Sequence, residues 1–409
     1  MRPQMAFVSP VFMFPNDTGG RIRTTNILRG LKDGAFDVTL LCPASDEQKI
    51  EWADELRTVC DHLVAWRPPA KRPRWIRAFD LFAQLPVSVT PDQDRNAQAS
   101  VLRSLTQGSF DVAVFDFVHA SVLLPAQIDM ATVCFTHNVE AEIFARHAAQ
   151  ASRAAMRYIW TKQHAKMRRF EGRSLKRFTS VIAVSERDAS QFRESYEIAM
   201  PTTIPTGVDL DYFAWQAPPA IEHDHPPTVA FVGSMDWDAN IDGVRHFLMA
   251  VWPLIQNTIP ESRFTVIGRN PPATLLDAAR NLKGVSFTGF VDDVRPYMRQ
   301  AHVSVIPLRV GGGTRIKAFE AMAMGCPIVS TSIGIEGLDV IDGEHYMRRD
   351  SPADQAAGVI ELLRDATLRN DISRRARRCV EENFGHRVAA RVFEEACLSA
   401  LAMHADSKN

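Results

Sequence analysis

Residues Val303–Leu338 read VSVIPLRVGGGTRIKAFEAMAMGCPIVSTSIGIEGL. A β-branched apolar run ends at Pro307, a glycine turn follows at Gly311, Gly312 and Gly313, and the pattern predicts a helix from about Thr314 to Met324. Gly325 suits a left-handed helix terminus, Pro327 forbids continuation, and Pro327–Ser330 reads as the next strand. Two continuously apolar strands joined through a helix belong in a parallel sheet covered on both faces.

The same alternation extends outward in both directions. Strands are expected at Ala6–Ser9, Asp37–Leu41, Asp111–Asp116, Thr132–Thr136 and Ser180–Val184. A second series is expected at Thr228–Val232, Arg263–Ile267, Val285–Thr288, Val303–Pro307 and Pro327–Ser330. Between the two series lies Trp215–Pro227 (WQAPPAIEHDHPP), whose four prolines make it a linker. The expected fold class is therefore α/β, as two doubly wound Rossmann-like domains facing across a cleft, since ligands of such sheets sit at the carboxyl ends of the strands. The division is 1–214, a linker at 215–227, 228–385, and a C-terminal helix at 386–409. The helix has an apolar stripe at Val388, Val392, Ala396 and Ala400 that suits packing back across the junction.

Composition agrees with this plan. Single cores stop growing near ~250–300 residues, so a chain of 409 residues that is 46% hydrophobic supports two domains. A net charge of −1 excludes a general attraction for nucleic acid or membrane. Six cysteines with no CxxC spacing read as scattered small hydrophobes in a reducing compartment. The apolar stretch Met5–Phe14 is broken by Pro10 and does not read as a signal peptide. Cytoplasmic placement is expected, with peripheral contact at the inner face of the membrane as an elaboration.

The glycine turn before the predicted helix allows close backbone approach, and the helix N-terminus favours an anion. Arg315 and Lys317 in the first turn oppose the helix dipole and invite an anionic partner. Glu320 shares the face of Lys317, so a plain surface ion pair, worth less than ~1 kcal/mol, is the other reading. Asp236, Asp238 and Asp242 are read as caps of a helix starting at Asn240 rather than as metal ligands. Two basic stretches stand out in the first half. One is Trp66–Phe79, and the other carries Arg153, Arg157, Lys162, Lys166, Arg168, Arg169, Arg173, Lys176 and Arg177. Both read as solvated faces or as a surface for anionic lipid.

The run GGGTRIKAFEAMAMGCPIVST resembles the donor-site signature of the family 4 retaining glycosyltransferases, which have the GT-B fold. Smaller pieces follow the family's order: Gly19-Gly20, Thr136–Glu140 (THNVE), Val184-Ser185-Glu186, Ile204–Asp209 (IPTGVD), Phe231–Ser234 (FVGS) and Thr288–Val291 (TGFV). The resemblance implies a sugar transfer from a nucleoside diphosphate donor to a hydroxyl acceptor with retention, without metal or cofactor, in envelope or exopolysaccharide glycan assembly. It implies that Glu320 binds the donor's ribose hydroxyls and that Arg315 and Lys317 hold the diphosphate. Gly311, Gly312, Gly313 and Thr314 would lie along the diphosphate and sugar, Gly19 and Gly20 would reach the diphosphate, His137 would contact the sugar, and Phe290 and Val291 would lie near the base. Two departures stand out. The family's first motif glutamate falls at Gly312, and the basic pair often found after Phe231-Val232-Gly233 is replaced by Ser234–Asp238 (SMDWD). A nucleotide-sugar 2-epimerase and a non-catalytic sugar-nucleotide-binding subunit are the alternative functions. A lipid-linked glycan is an expected acceptor, and nucleic acid is not an expected partner.

Overall fold

The computed structural model describes residues 2–16, 18–69, 80–151, 153–222, 225–310 and 315–408. The chain forms two compact units, one of Met1–Gly207 with His386–Asn409 and one of Val208–Gly385. Among the described residues no helix is long and apolar enough to cross a membrane.

The first unit holds seven strands: β1 (Gln4–Val8), β2 (Asp37–Pro43), β3 (His62–Trp66), β4 (Val112–Asp116), β5 (Ala131–Phe135), β6 (Ser180–Ala183) and β7 (Thr202–Thr203). They lie in the order β3-β2-β1-β4-β5-β6-β7, with every pairing parallel. The second unit holds β8 (Thr228–Val232), β9 (Arg263–Ile267), β10 (Val285–Gly289), β11 (Val303–Ile306), β12 (Ile328–Ser330) and β13 (Met347–Arg348). Their order is β10-β9-β8-β11-β12-β13, again all parallel. All ten expected strands are present, and β3, β7 and β13 are additions at or near sheet edges.

Each central strand is apolar on both faces because helices cover both. Successive residues of β1 divide between two cores, Met5 and Phe7 in one and Ala6 and Val8 in the other. In β8, Val229 and Phe231 pack with Phe247, Trp252 and Phe264, while Ala230 packs with Ile306, Phe319 and Met322. This period-two division is what continuous apolar strands encode.

The C-terminal helix, His386–Asp406, belongs to the first unit, where it lies against the first helix, Gly19–Leu31, and against β5. Its buried stripe is Ala389, Phe393, Ala396, Cys397 and Ala400, and Val392 packs at its edge. The second unit starts at Val208, ahead of the proline-rich stretch. The Val208 N–H donates to the Phe384 carbonyl at 2.9 Å, tying the unit's two ends together.

The six cysteines are free and buried. The basic helix Ala154–Leu175 and the residues after it are less uniformly solvated than expected. Lys166 Nζ donates to the Leu81 carbonyl at 2.8 Å and the Ala83 carbonyl at 2.6 Å, and Arg177 donates to the Ser121 and Leu124 carbonyls at 3.2 and 2.8 Å. These two cations hold loops, which corrects their reading as part of a free charged face. Of the other basic stretch, residues 70–79 lie outside the described residues.

The loops after β8 and β9 touch backbone to backbone. A Cβ on Gly268 would stand 1.9 Å from the Gly233 carbonyl oxygen. Gly268→Ala is therefore expected to destabilise the second unit by about 1–3 kcal/mol, as overpacking does. Urea melts of the variant and the parent protein measure this, and unchanged stability would mean the loops separate at no cost.

Candidate functional site

In open parallel sheets the crevice for ligands lies where the strand order reverses, outside the carboxyl ends of the strands. Here that point falls between β1 and β4 in one sheet and between β8 and β11 in the other. Each carries a cluster of buried polar side chains.

In the second unit the helix Ile316–Ala323 follows β11, with Arg315 at its N-cap position. Its apolar face, Ala318, Phe319, Met322 and Ala323, is buried, and Phe319 stacks on Phe384 at 4.2 Å between ring centroids. The helix ends in a Schellman turn. Gly325 has φ +81°, the Cys326 N–H donates to the Ala321 carbonyl at 2.9 Å, and the Gly325 N–H donates to the Met322 carbonyl at 3.1 Å. The helix thereby presents Lys317 and Glu320 to a pocket also lined by Phe213, Val232, Val294 and Met298.

The two charges do not pair with each other. Lys317 Nζ donates to Asn240 Oδ1 at 2.9 Å and stands 4.8 Å from the Phe231 ring centroid and 6.0 Å from that of Trp237. The surface ion pair is thus set aside. Asn240 Nδ2 donates to the Ser234 carbonyl at 2.7 Å, which turns the amide oxygen toward the lysine. Burial, reinforced by Arg315, pushes the Lys317 ammonium down to about 7. Burial pushes the Glu320 carboxyl up to about 7, opposed by Lys317. Arg315 is buried, with Nη2 donating to the Ile333 carbonyl at 2.9 Å and the guanidinium 6.0 Å from the Trp237 ring.

Asp236 and Asp242 do not cap the following helix, which spans Asp238–His246 and has Trp237 at its N-cap with no side-chain cap. Asp236 accepts from Arg269 Nε at 2.8 Å and Asn270 Nδ2 at 2.9 Å, and Asp242 takes a two-pronged contact from Arg309 at 2.7 and 3.0 Å. Asp238 lies in the first turn, where its charge suits the helix dipole. Phe290 is 70% exposed and follows Gly289, whose φ is +71°. Val291 beside it is partly buried. Gly311, Gly312, Gly313 and Thr314 lie outside the described residues.

In the first unit the centre is Asp116, fully buried at the carboxyl end of β4. It accepts from Thr24 Oγ1 at 3.0 Å and Ser9 Oγ at 3.2 Å, and His137 Nε2 lies 2.8 Å away. With the ring proton held toward the carboxylate, Nδ1 is left as an acceptor. That atom is enclosed and has no partner among the described residues. Burial lowers the His137 pKa, against the pull of Asp116. The imidazole stacks on Phe117 at 3.9 Å between centroids. Phe117 has φ +67°, a costly conformation for an aromatic residue. Gly19 and Gly20 open the first helix, and a Cβ on Gly20 would come within 2.5 Å of Phe117 Cζ.

His137, Arg315, Lys317 and Glu320 are expected from the sequence and lie in these two clusters, whereas Asn240 and Asp116 are not among the expected residues. An aspartate closing an otherwise apolar strand was the available signal for Asp116. No sequence signal marks Asn240, because its role depends on where Ser234 folds.

The chain matches the family described as Glycosyltransferase Family 4 over residues 18–212 and that described as Glycosyl transferases group 1 over residues 226–365. It belongs to this family of glycosyltransferases. A glycogen synthase of Mycobacterium tuberculosis (strain CDC 1551 / Oshkosh) is 25% identical over 293 residues, 69% of this chain and 66% of that protein. The chain thus spans just under two thirds of that relative. Among solved structures, sucrose-phosphate synthase from Thermosynechococcus elongatus superposes with TM-score 0.70 at 17% identity, covering 98% of this chain and all of that one. Anabaena Alr3699/HepE in complex with UDP and glucose superposes with TM-score 0.63 at 13% identity, covering 97% of this chain and 99% of that one. At these identities the likeness is one of fold, the GT-B fold.

Glu320 offers a test of the buried charge. Its ordinary value is 4.5 and the fold raises it to about 7, so the fold holds that proton more tightly than the unfolded chain does. The group's favourable contribution is complete below about 4.5 and is lost as pH rises through about 7. Glu320→Gln is expected to raise the melting temperature at pH above 7 and leave it unchanged near pH 4.5. Melts across this range read the difference, and an equal effect at both ends would assign it to something other than charge burial.

Proposed function

We propose that the chain is a retaining glycosyltransferase that moves a sugar from a nucleoside diphosphate donor to a hydroxyl acceptor. Glycan assembly of the cell envelope or an exopolysaccharide is the setting this reading favours. The observation that carries it is the second unit's cluster: Lys317 on Asn240, Arg315 at the helix start, and Glu320 on the same pocket. Cations at a helix N-terminus suit a diphosphate, and a carboxylate accepts two vicinal hydroxyls of a ribose. The sugar–phosphate bond breaks as the acceptor oxygen bonds the anomeric carbon on the same face, and the hydroxyl's proton passes to the departing diphosphate oxygen. Catalysis rests on stabilising the departing diphosphate. His137 Nδ1 is suited to accept from a sugar hydroxyl, and the first unit is the acceptor side. The donor is a substrate, and no cofactor or metal enters the scheme.

A panel of nucleoside diphosphate sugars tests this, with binding read by thermal shift and slow hydrolysis by nucleotide release. Binding with release of the nucleotide from one donor is the expected result. Arg315→Ala and Lys317→Ala are each expected to lower turnover by ~10²–10³. Full turnover in both variants would remove the assigned role. Binding without release, whatever acceptor is supplied, would favour a non-catalytic subunit, and conversion of the donor without acceptor would favour an epimerase.

The reading extends to a membrane-held acceptor. Phe82, Tyr158 and Met156 are 86%, 65% and 39% exposed, and Arg153, Arg157 and Lys162 are exposed on the same helix as Tyr158 and Met156. Lys166 ties the turn bearing Phe82 to that helix. Apolar side chains ringed by cations suit an anionic bilayer surface. The protein is expected to sediment with anionic vesicles at low salt and to be released by added salt. Failure to sediment would sink this extension.

A further inference from the structure

Four successive polar residues of the first helix are buried, Arg23, Thr24, Thr25 and Asn26 being 3%, 0%, 0% and 4% exposed. Polar residues at core positions break the pattern of a packed helix and need partners or a purpose. Thr24 has Asp116, and Asn26 Nδ2 donates to the Gly207 carbonyl at 3.1 Å. Arg23 has no such partner. Its Nε and Nη2 are enclosed and make no hydrogen bond among the described residues.

Among the described residues two carboxylates bear on it. Asp116 holds Thr24, Ser9 and His137. Asp188 opposes the downward push of burial on Arg23, and no ion pair joins the two among the described residues. Thr24 Oγ1, on the residue next to Arg23, lies 3.4 Å from His137 Nε2, so Arg23 and His137 stand in one neighbourhood at the ligand edge of the sheet. Among the described residues that neighbourhood therefore contains unused donors on Arg23, and His137 Nδ1 and Thr25 Oγ1 are unused as well. Buried guanidinium donors without hydrogen-bond partners lower stability, and groups held at such a cost are characteristic of ligand sites.

We propose that Arg23 recognises an anionic group on the acceptor, and that the acceptor is a polyhydroxyl compound carrying a phosphate or a carboxylate. The fork of Arg23 takes the oxyanion in a bidentate contact, leaving His137 Nδ1 to the donor's sugar. This rests on the first unit being the acceptor side.

The test uses full-length protein with Lys317→Met as background, so that the second unit's cation does not contribute. Inorganic phosphate, glucuronate and glucose are added at constant ionic strength, and melting is followed. Phosphate or glucuronate is expected to stabilise this protein while glucose does not, and the response of one over the other names the anion. Adding Arg23→Met is expected to abolish the response, with Arg23→Lys retaining part of it. Without ligand, Arg23→Met is expected to melt about 2–4 °C higher, because it removes an unpartnered buried charge. A lower melting temperature together with an intact anion response would make Arg23 a structural partner of Asp188 and overturn the proposal. With Lys317 present, nucleoside diphosphate affinity is expected to be unchanged by Arg23→Met. A loss of about tenfold or more would place the anion on the donor and overturn the acceptor assignment. The phosphate and glucuronate arms contain no donor, so they stand or fall separately from the transferase reading.

Discussion

Both units depend on one topological constraint. A parallel sheet grown outward in both directions from its first strand must send its connections to opposite faces, and the reversal leaves a crevice beside that strand. The first sheet reverses between β1 and β4, the second between β8 and β11. Ser9 follows β1 and Asp116 closes β4, while Gly233 follows β8 and Arg309 follows β11. Side chains separated by more than a hundred residues in sequence, such as Ser9 and Asp116, meet there because backbone pairing brings them to one edge. The chemistry was given its place by the sheet before any side chain was chosen.

What occupies those edges is poor material for a stable core. Among the described residues His137 Nδ1 and Arg23 Nε and Nη2 have no partners, Phe117 is held at φ +67°, and Lys317 and Glu320 are both driven toward their neutral forms. Each lowers stability locally. The surrounding cores, with Phe7, Phe135 and Phe393 in one unit and Phe231, Trp252 and Phe264 in the other, supply the compensating burial. Local rules fail where ligands are to be met and hold elsewhere, as expected when a sequence specifies both a fold and a site.

The same contrast explains what was legible in the sequence. The strands inside the sheets were readable because burial on both faces demands continuous apolar runs, and the edge strand β10 because Val285 and Phe287 alternate with Ser286 and Thr288. β3 was not, since the side chains of His62, Leu63, Val64 and Ala65 are exposed or half-buried at the sheet edge and carry a weaker pattern. β7 and β13 have two residues each, too few for any periodicity. The turn at Gly325 was legible because a left-handed position before proline selects glycine. The roles of Asp236 and Asp242 were misread because local spacing suggests a cap, whereas their partners, Arg269 and Arg309, arrive from other loops. Lys166 and Arg177 were misread for the same reason, since nothing local shows that a cation will be used to hold carbonyl groups.

The sequence shows where charges lie but not which of them are already neutralised, and the second unit's site turns on that difference. Three arginines near it are matched: Arg269 by Asp236, Arg309 by Asp242 and Arg295 by Asp293, each with a contact of 2.7 or 2.8 Å. The family's basic pair after β8 is absent, and Arg269, which comes in from the next loop, does not replace its charge because Asp236 cancels it. Lys317 is treated differently. Its hydrogen bond goes to the neutral amide of Asn240, and the carboxylate of Glu320, one helical turn away, forms no ion pair with it. An amide fixes the position of an ammonium without neutralising it. Asn240 therefore orients Lys317 while leaving its charge to whatever anion enters, a division of labour that an aspartate at the same position would abolish.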